Sequence, residues 1–140
     1  MQRITFILLL CLSISACSIW EDVPYEVIST DGYVRLVKNL NFDGPIGKVK
    51  SGGSIGLVSG NIIAVGSNEK YVVAKRKQEK SFAMIDKEPL TNDVMYYYID
   101  RKKDDTGGHL DEIVNGPFTL AEFTKLKNSL ELPEFTKTIK

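Results

Sequence analysis

The sequence has 140 residues, 43% of them hydrophobic, with 18 basic and 18 acidic side chains and two cysteines. That length suits one domain with or without a targeting segment, and the hydrophobic share is too high for a disordered chain. The even charge balance argues against a dedicated nucleic-acid binder, and two cysteines cannot frame a disulfide-rich miniprotein.

Met1, Gln2 and Arg3 form a short positive start, and Ile4 to Leu12 is an apolar run interrupted by Thr5. Small residues follow, ending in Ala16 and Cys17. This pattern predicts a secretory signal peptide over residues 1–16, with an apolar run too short to cross a bilayer. Ile14-Ser15-Ala16-Cys17 resembles the lipobox of bacterial lipoproteins. The resemblance implies cleavage between Ala16 and Cys17 and acylation of Cys17 by lipid, which would anchor the chain to a membrane facing the periplasm or exterior. Ser18, next to the cysteine, favours the outer membrane where there is one. Cleavage removes Cys11 and acylation consumes Cys17, so the expected mature chain has no thiol for catalysis, zinc–thiolate sites or iron–sulfur clusters. Residues 17–24 then form a tether of at most about 25 Å if fully extended, and residues 25–140 form a single domain. Trp20 is placed either among lipid headgroups or under the domain.

From there the chain reads as strands punctuated by Gly, Asn and Asp. Tyr25 to Thr30 and Tyr33 to Val37 flank an Asp31-Gly32 turn, and Asp43-Gly44-Pro45 is the next break. Ile46 to Val49 and Ile55 to Val58 are short candidates around Ser51-Gly52-Gly53. Asn61 to Val65 and Tyr71 to Arg76 are joined by a connection containing Gly66 that suits a hairpin. Phe82 to Ile85 and Val94 to Asp100 complete the set. The last is apolar or aromatic on both faces, which predicts a central strand covered on at least one side.

One helix is predicted. Thr119-Leu120-Ala121-Glu122 has the form of a capping box, Phe118 and Phe123 are spaced for a hydrophobic staple, and Pro133 marks the stop. Leu120, Phe123, Leu126 and Leu130 make its apolar stripe. The expected fold is α+β, an antiparallel sheet with one C-terminal helix packed on a face.

Three local patterns bear on chemistry. Gly52 to Gly56 matches G-x-S-x-G, with Asp105 and His109 following in the chain order of a hydrolase triad. A nucleophile elbow, however, needs a strand before Ser54 and a helix after it, and here a strand follows. The acidic segment 104–112 holds Asp104, Asp105, His109, Asp111 and Glu112 without the alternation of a calcium loop, so it reads as a solvated loop and no metal or other cofactor is expected. Lys75, Arg76, Lys77 and Lys80, and then Arg101, Lys102 and Lys103, sit at strand ends that could be neighbours at one sheet edge. There they would meet anionic headgroups or act as charged gatekeepers.

Ile62 to Lys75, Tyr97-Tyr98-Ile99-Asp100, and Gly116-Pro117 leading into Glu122, Phe123 and Leu126 resemble a family of small bacterial lipoproteins of unknown function. The likeness spans about residues 30–132 and implies a fold without assigned catalytic residues. The expected function is therefore a non-enzymatic binding or interaction module, anchored to the bilayer through Cys17, with an envelope protein as partner. Its candidate surface is Tyr96, Tyr97 and Tyr98, part of which is expected to be at least half exposed. The alternative is a small hydrolase or ligand-binding protein using Ser54, His109 and the acidic loop.

Overall fold

Short runs of β-branched and aromatic residues, cut by Gly and Asn, build two antiparallel sheets in the computed structural model, which describes residues 18–30, 32–41, 52–77, 94–105 and 107–140. The first sheet is a meander of β1 (Ser18–Asp22), β2 (Tyr25–Thr30), β3 (Tyr33–Asn41) and β4 (Gly52–Val58), in that spatial order. The second contains β5 (Asn61–Ser67), β6 (Tyr71–Lys77), β7 (Val94–Asp100), β8 (Val114–Phe118) and β9 (Lys137–Thr138), ordered β8-β7-β6-β5-β9. Helices α1 (Arg101–Asp105) and α2 (Leu110–Ile113) lie between β7 and β8, and α3 (Leu120–Leu130) follows β8. The expectation of one sheet and one helix is therefore corrected to two sheets and several short helices. The expected strands at 46–49 and 82–85 lie outside the described residues.

The chain changes sheets at Ser59-Gly60. Gly60 has φ +98, which an L side chain rarely adopts, and a Cβ there would press on Arg76 Cδ at 3.0 Å. This turn lays β5 against the face of the first sheet. Tyr25, Val27, Leu36 and Val58 from the first sheet then share one core with Ile62, Val65, Val72, Tyr97 and Ile99 from the second.

The other face of the second sheet forms a separate core. Val73 and Tyr96 pack there with Phe123 of α3 and Leu132. Tyr96 stacks on Phe123 with ring centroids 5.1 Å apart, and Phe123 stacks on Phe135 at 5.9 Å. The architecture is thus three layers: sheet, sheet and helix. Val72 and Val73, adjacent on β6, point to opposite cores and are both fully buried, each contributing about 1.5–3 kcal/mol of apolar burial.

Helix α3 starts as its sequence dictates. Glu122 N donates to Thr119 Oγ1 and Thr119 N donates to Glu122 Oε2, completing the capping box. These hydrogen bonds hold the Glu122 carboxyl below its usual range. The helix ends at Leu130, with Glu131 left-handed at φ 58. Only Phe123 of the predicted stripe is fully buried; Leu126 and Leu130 pack at the margin of this core, and Leu120 is 61% exposed. Beyond it, the chain passes so close over Gly66 that a Cβ there would collide with the Glu134 carbonyl oxygen. Thr136 N then donates to Val65 O at 3.0 Å, which brings β9 alongside β5.

Candidate functional site

Among the described residues, an enclosed polar cluster forms where the first sheet meets α1. Asp100 closes β7, and its carboxylate accepts from Lys103 N at 3.2 Å, turning the chain into α1. One turn of helix then carries Asp104 inward and Arg101 over the β1–β2 end of the sheet. Tyr25, the first residue of β2, donates its hydroxyl to Asp104 Oδ2, and Lys38 of β3 donates to Asp104 Oδ1 at 2.6 Å. Arg101 stacks over the Tyr25 ring at 5.0 Å and pairs with Asp22 of β1. Three successive strands of one sheet therefore converge on a single turn of α1, which is covalently continuous with the other sheet.

The electrostatics follow from this enclosure. Burial, the hydrogen bond to Asp104 and then the charge of that carboxylate push the Tyr25 hydroxyl well above its ordinary ionisation range, against a smaller opposing effect of Arg101. The phenol therefore remains a proton donor at neutral pH. Both Asp104 oxygens accept hydrogen bonds, and the Lys38 ammonium and Arg101 guanidinium each face a carboxylate. Chemically this arrangement is a clamp between layers: the polar atoms of Tyr25, Lys38 and Asp104 are directed at one another, and Arg101 pairs with Asp22 while its Nε is buried without a partner among the described residues.

Most residues singled out from the sequence lie elsewhere. Ala16 and Cys17 fall outside the described residues. The expected exposure of the tyrosine row is corrected: Tyr96 and Tyr97 are 7% and 5% exposed, and Tyr98 is partly buried. The physical reason is the double covering of the second sheet. Tyr97 faces the first sheet under Arg76, whose guanidinium lies 5.0 Å from its ring centre. Tyr96 lies beneath α3, and Tyr98 stacks on Phe118 of β8 at 6.0 Å.

Ser54 is exposed in the middle of β4, opposite Asn39 of β3, so its surroundings are a strand and not a strand–turn–helix elbow. Asp105 is exposed on α1, and His109 is exposed at the N-cap of α2 without a side-chain capping bond. The acidic segment divides: Asp104 turns inward to Tyr25 and Lys38, while Asp105, Asp111 and Glu112 face solvent. Among the described residues, no three His, Cys, Asp or Glu side chains group to hold a metal ion.

Lys80 lies outside the described residues, and Lys75–Lys77 and Arg101–Lys103 are not neighbours. Tyr71 pairs with Asp100 and Lys77 with Val94, so the runs sit at opposite ends of the β6–β7 pair, roughly 20 Å apart at strand rise. Arg76 is buried and donates to Ser59 O at 3.0 Å. The segment expected as a tether contains β1, with Ser18 already paired to Ile28. Trp20, on this strand, packs partly buried against the core between the sheets.

Sequence reasoning missed the Tyr25–Lys38–Asp104 cluster. Its members belong to three separate elements and carry no local motif. The one available signal was Asp104 itself, a charge on a short segment immediately after a strand covered on both faces.

The fold and its clamp define a two-sheet antiparallel protein backed by a helix. The chain belongs to a family described as a protein of unknown function (DUF3997), whose model matches residues 37–138. The match runs from within β3 to β9, so Lys38 and Asp104 fall inside it, and Asp22 and Tyr25 precede it. No curated protein and no solved structure matches the chain. No helix among the described residues is long and apolar enough to cross a membrane.

Proposed function

We propose that this is a bacterial lipoprotein of the cell envelope, held to the bilayer by acylated Cys17, whose β domain is a non-enzymatic interaction module working beside the membrane. The observation that carries the reading is the run from Met1 to Cys17: a charged start, an apolar stretch and then Ile14-Ser15-Ala16-Cys17. The position of β1 supports it, because Ser18, the residue next to Cys17, is already paired to Ile28. A strand so near the acylated cysteine would hold the domain against the headgroups. The self-directed polar groups of the Tyr25–Asp104 clamp support a structural use for them, with interaction left to the surface.

Cys17→Ser tests the anchor. The variant should incorporate no palmitate and should leave the membrane fraction after a carbonate wash. A variant that stays membrane-bound refutes the lipid anchor. For the interaction role, crosslinking in native envelopes followed by mass spectrometry should recover a specific envelope protein. Labelling of Ser54 by a fluorophosphonate would instead establish a hydrolase.

A further inference from the structure

We propose that β4 is a homodimerisation strand, pairing antiparallel with β4 of a second copy about a two-fold axis through Ser54. The inference is independent of the anchor at Cys17.

It starts from a comparison of the four sheet edges among the described residues. An edge strand offers unpaired N–H and C=O groups to any passing strand, and proteins blunt such edges with charge, proline or brevity. The edge strand β1 carries Glu21 and Asp22 and is followed by Pro24; β8 contains Pro117; β9 is only two residues long and includes Lys137. The fourth edge, β4, reads Gly-Gly-Ser-Ile-Gly-Leu-Val, with neither charge nor proline. Its register irregularity falls between Gly56 and Val58, so Gly52–Gly56 runs in unbroken pairing with β3. Gly53, Ser54, Ile55 and Gly56 are all exposed, Ile55 at 37%. A Cβ added at Gly53 or Gly56 would meet nothing within 4 Å. Among the described residues, β4 has β3 as its one strand neighbour.

The same features select a second copy as occupant. A strand without charge meets no repulsion from its own duplicate. A two-fold axis normal to the sheet keeps inner face beside inner face only when a residue lies on the axis, and Ser54 is the middle of the regular stretch. That register sets Ser54 against Ser54 of the copy, Gly53 against Ile55 and Gly52 against Gly56. The exposed isoleucine of each copy thereby covers the open position above a glycine of the other, and the two serine hydroxyls meet on the opposite face. The pairing is isologous and closed: each copy uses its open edge once, and the two four-stranded sheets become continuous.

So short a strand pair buries far less than the ~1,600 Å² of a typical stable interface, so the proposed association is weak, with a dissociation constant on the order of 10 µM. The test is sedimentation equilibrium of the full chain in density-matched detergent. The native chain should show a concentration-dependent monomer–dimer equilibrium. Ser54→Lys and Ser54→Glu should each weaken it by at least about tenfold through like charges on the axis, and an equimolar mixture of the two should restore dimers. Ser54 is exposed, so both variants should keep the native melting temperature. A native chain that stays monomeric up to roughly 300 µM, well above the range so small an interface implies, overturns the proposal. So does undiminished dimerisation of either charged variant, or failure of the mixture to reassociate.

Discussion

Replacing Asp104 by alanine removes the acceptor on which the interlayer clamp depends. Two losses follow, of different sizes. The Tyr25 hydroxyl is fully enclosed and loses its acceptor, at a cost of about 1–3 kcal/mol for an unsatisfied buried donor. Lys38, whose side chain retains 23% exposure, turns to water and loses less, about 1 kcal/mol. The sum is about 3 kcal/mol, or roughly 10 °C in melting temperature for a domain of this size. Tyr25→Phe should cost less, about 1–2 kcal/mol, because Asp104 keeps Lys38. The two changes should not add: once Asp104 is gone, removing the stranded hydroxyl should be nearly neutral or slightly stabilising. Urea titrations of both single variants and the double variant measure this coupling. Additive losses, or an Asp104→Ala cost under about 0.5 kcal/mol, would refute the clamp.

Tyr25 also gives an alkaline signature. Its folded-state ionisation lies above the unfolded value near 10, so its contribution is fully present below about pH 10 and is lost as pH rises through the folded value. Urea midpoints should therefore fall less steeply above pH 10 in Tyr25→Phe than in the native protein; Tyr98, raised in the same direction, is common to both. Parallel curves would remove Tyr25 from the account. In α3, Phe123→Ala should cost about 3–5 kcal/mol and Thr119→Ala about 1 kcal/mol; equal, negligible losses would mean that the helix does not hold the outer core. Gly66→Ala forces a Cβ into the Glu134 carbonyl and should strip hydrogen-exchange protection from the Thr136 and Ile139 amides, which bond to Val65 and Ile63. Unchanged protection at both amides would show that the crossing strap yields at no cost.

Periodicity and turn chemistry made several elements legible before any coordinates. The Thr119–Glu122 box gave the helix start, Gly66 to Lys70 the hairpin, and the two apolar faces of β7 a central strand. Those faces also held the evidence for three layers, because a strand apolar on both sides has to be covered twice. Reading that pattern as an exposed tyrosine row assumed a single sheet, which leaves one face bare. Other features had no local signature. Strand β1 carries two acids and one tryptophan in five residues, and its pairing with β2 is decided by the neighbouring hairpin. Strand β8 holds Gly116 and Pro117, residues that normally end a strand, and its edge position tolerates them. The clamp joins residues whose sequence separations reach 79 positions, and only tertiary structure brings them together.

The closure of the second sheet by β9 has a consequence for how the chain reaches its folded state. Strand β5 is flanked on one side by β6, its immediate successor, and on the other by a strand that lies beyond β6, β7, β8 and every described helix. The hairpin side forms through a short loop, whereas the β9 side requires ends far apart in sequence to meet, a step that contact order makes slow. During that interval Ile62 and Val65 sit on a strand with one open flank. A chain interrupted after α3 would keep that flank open permanently, so such fragments should aggregate through β5 even with most of their strands in place.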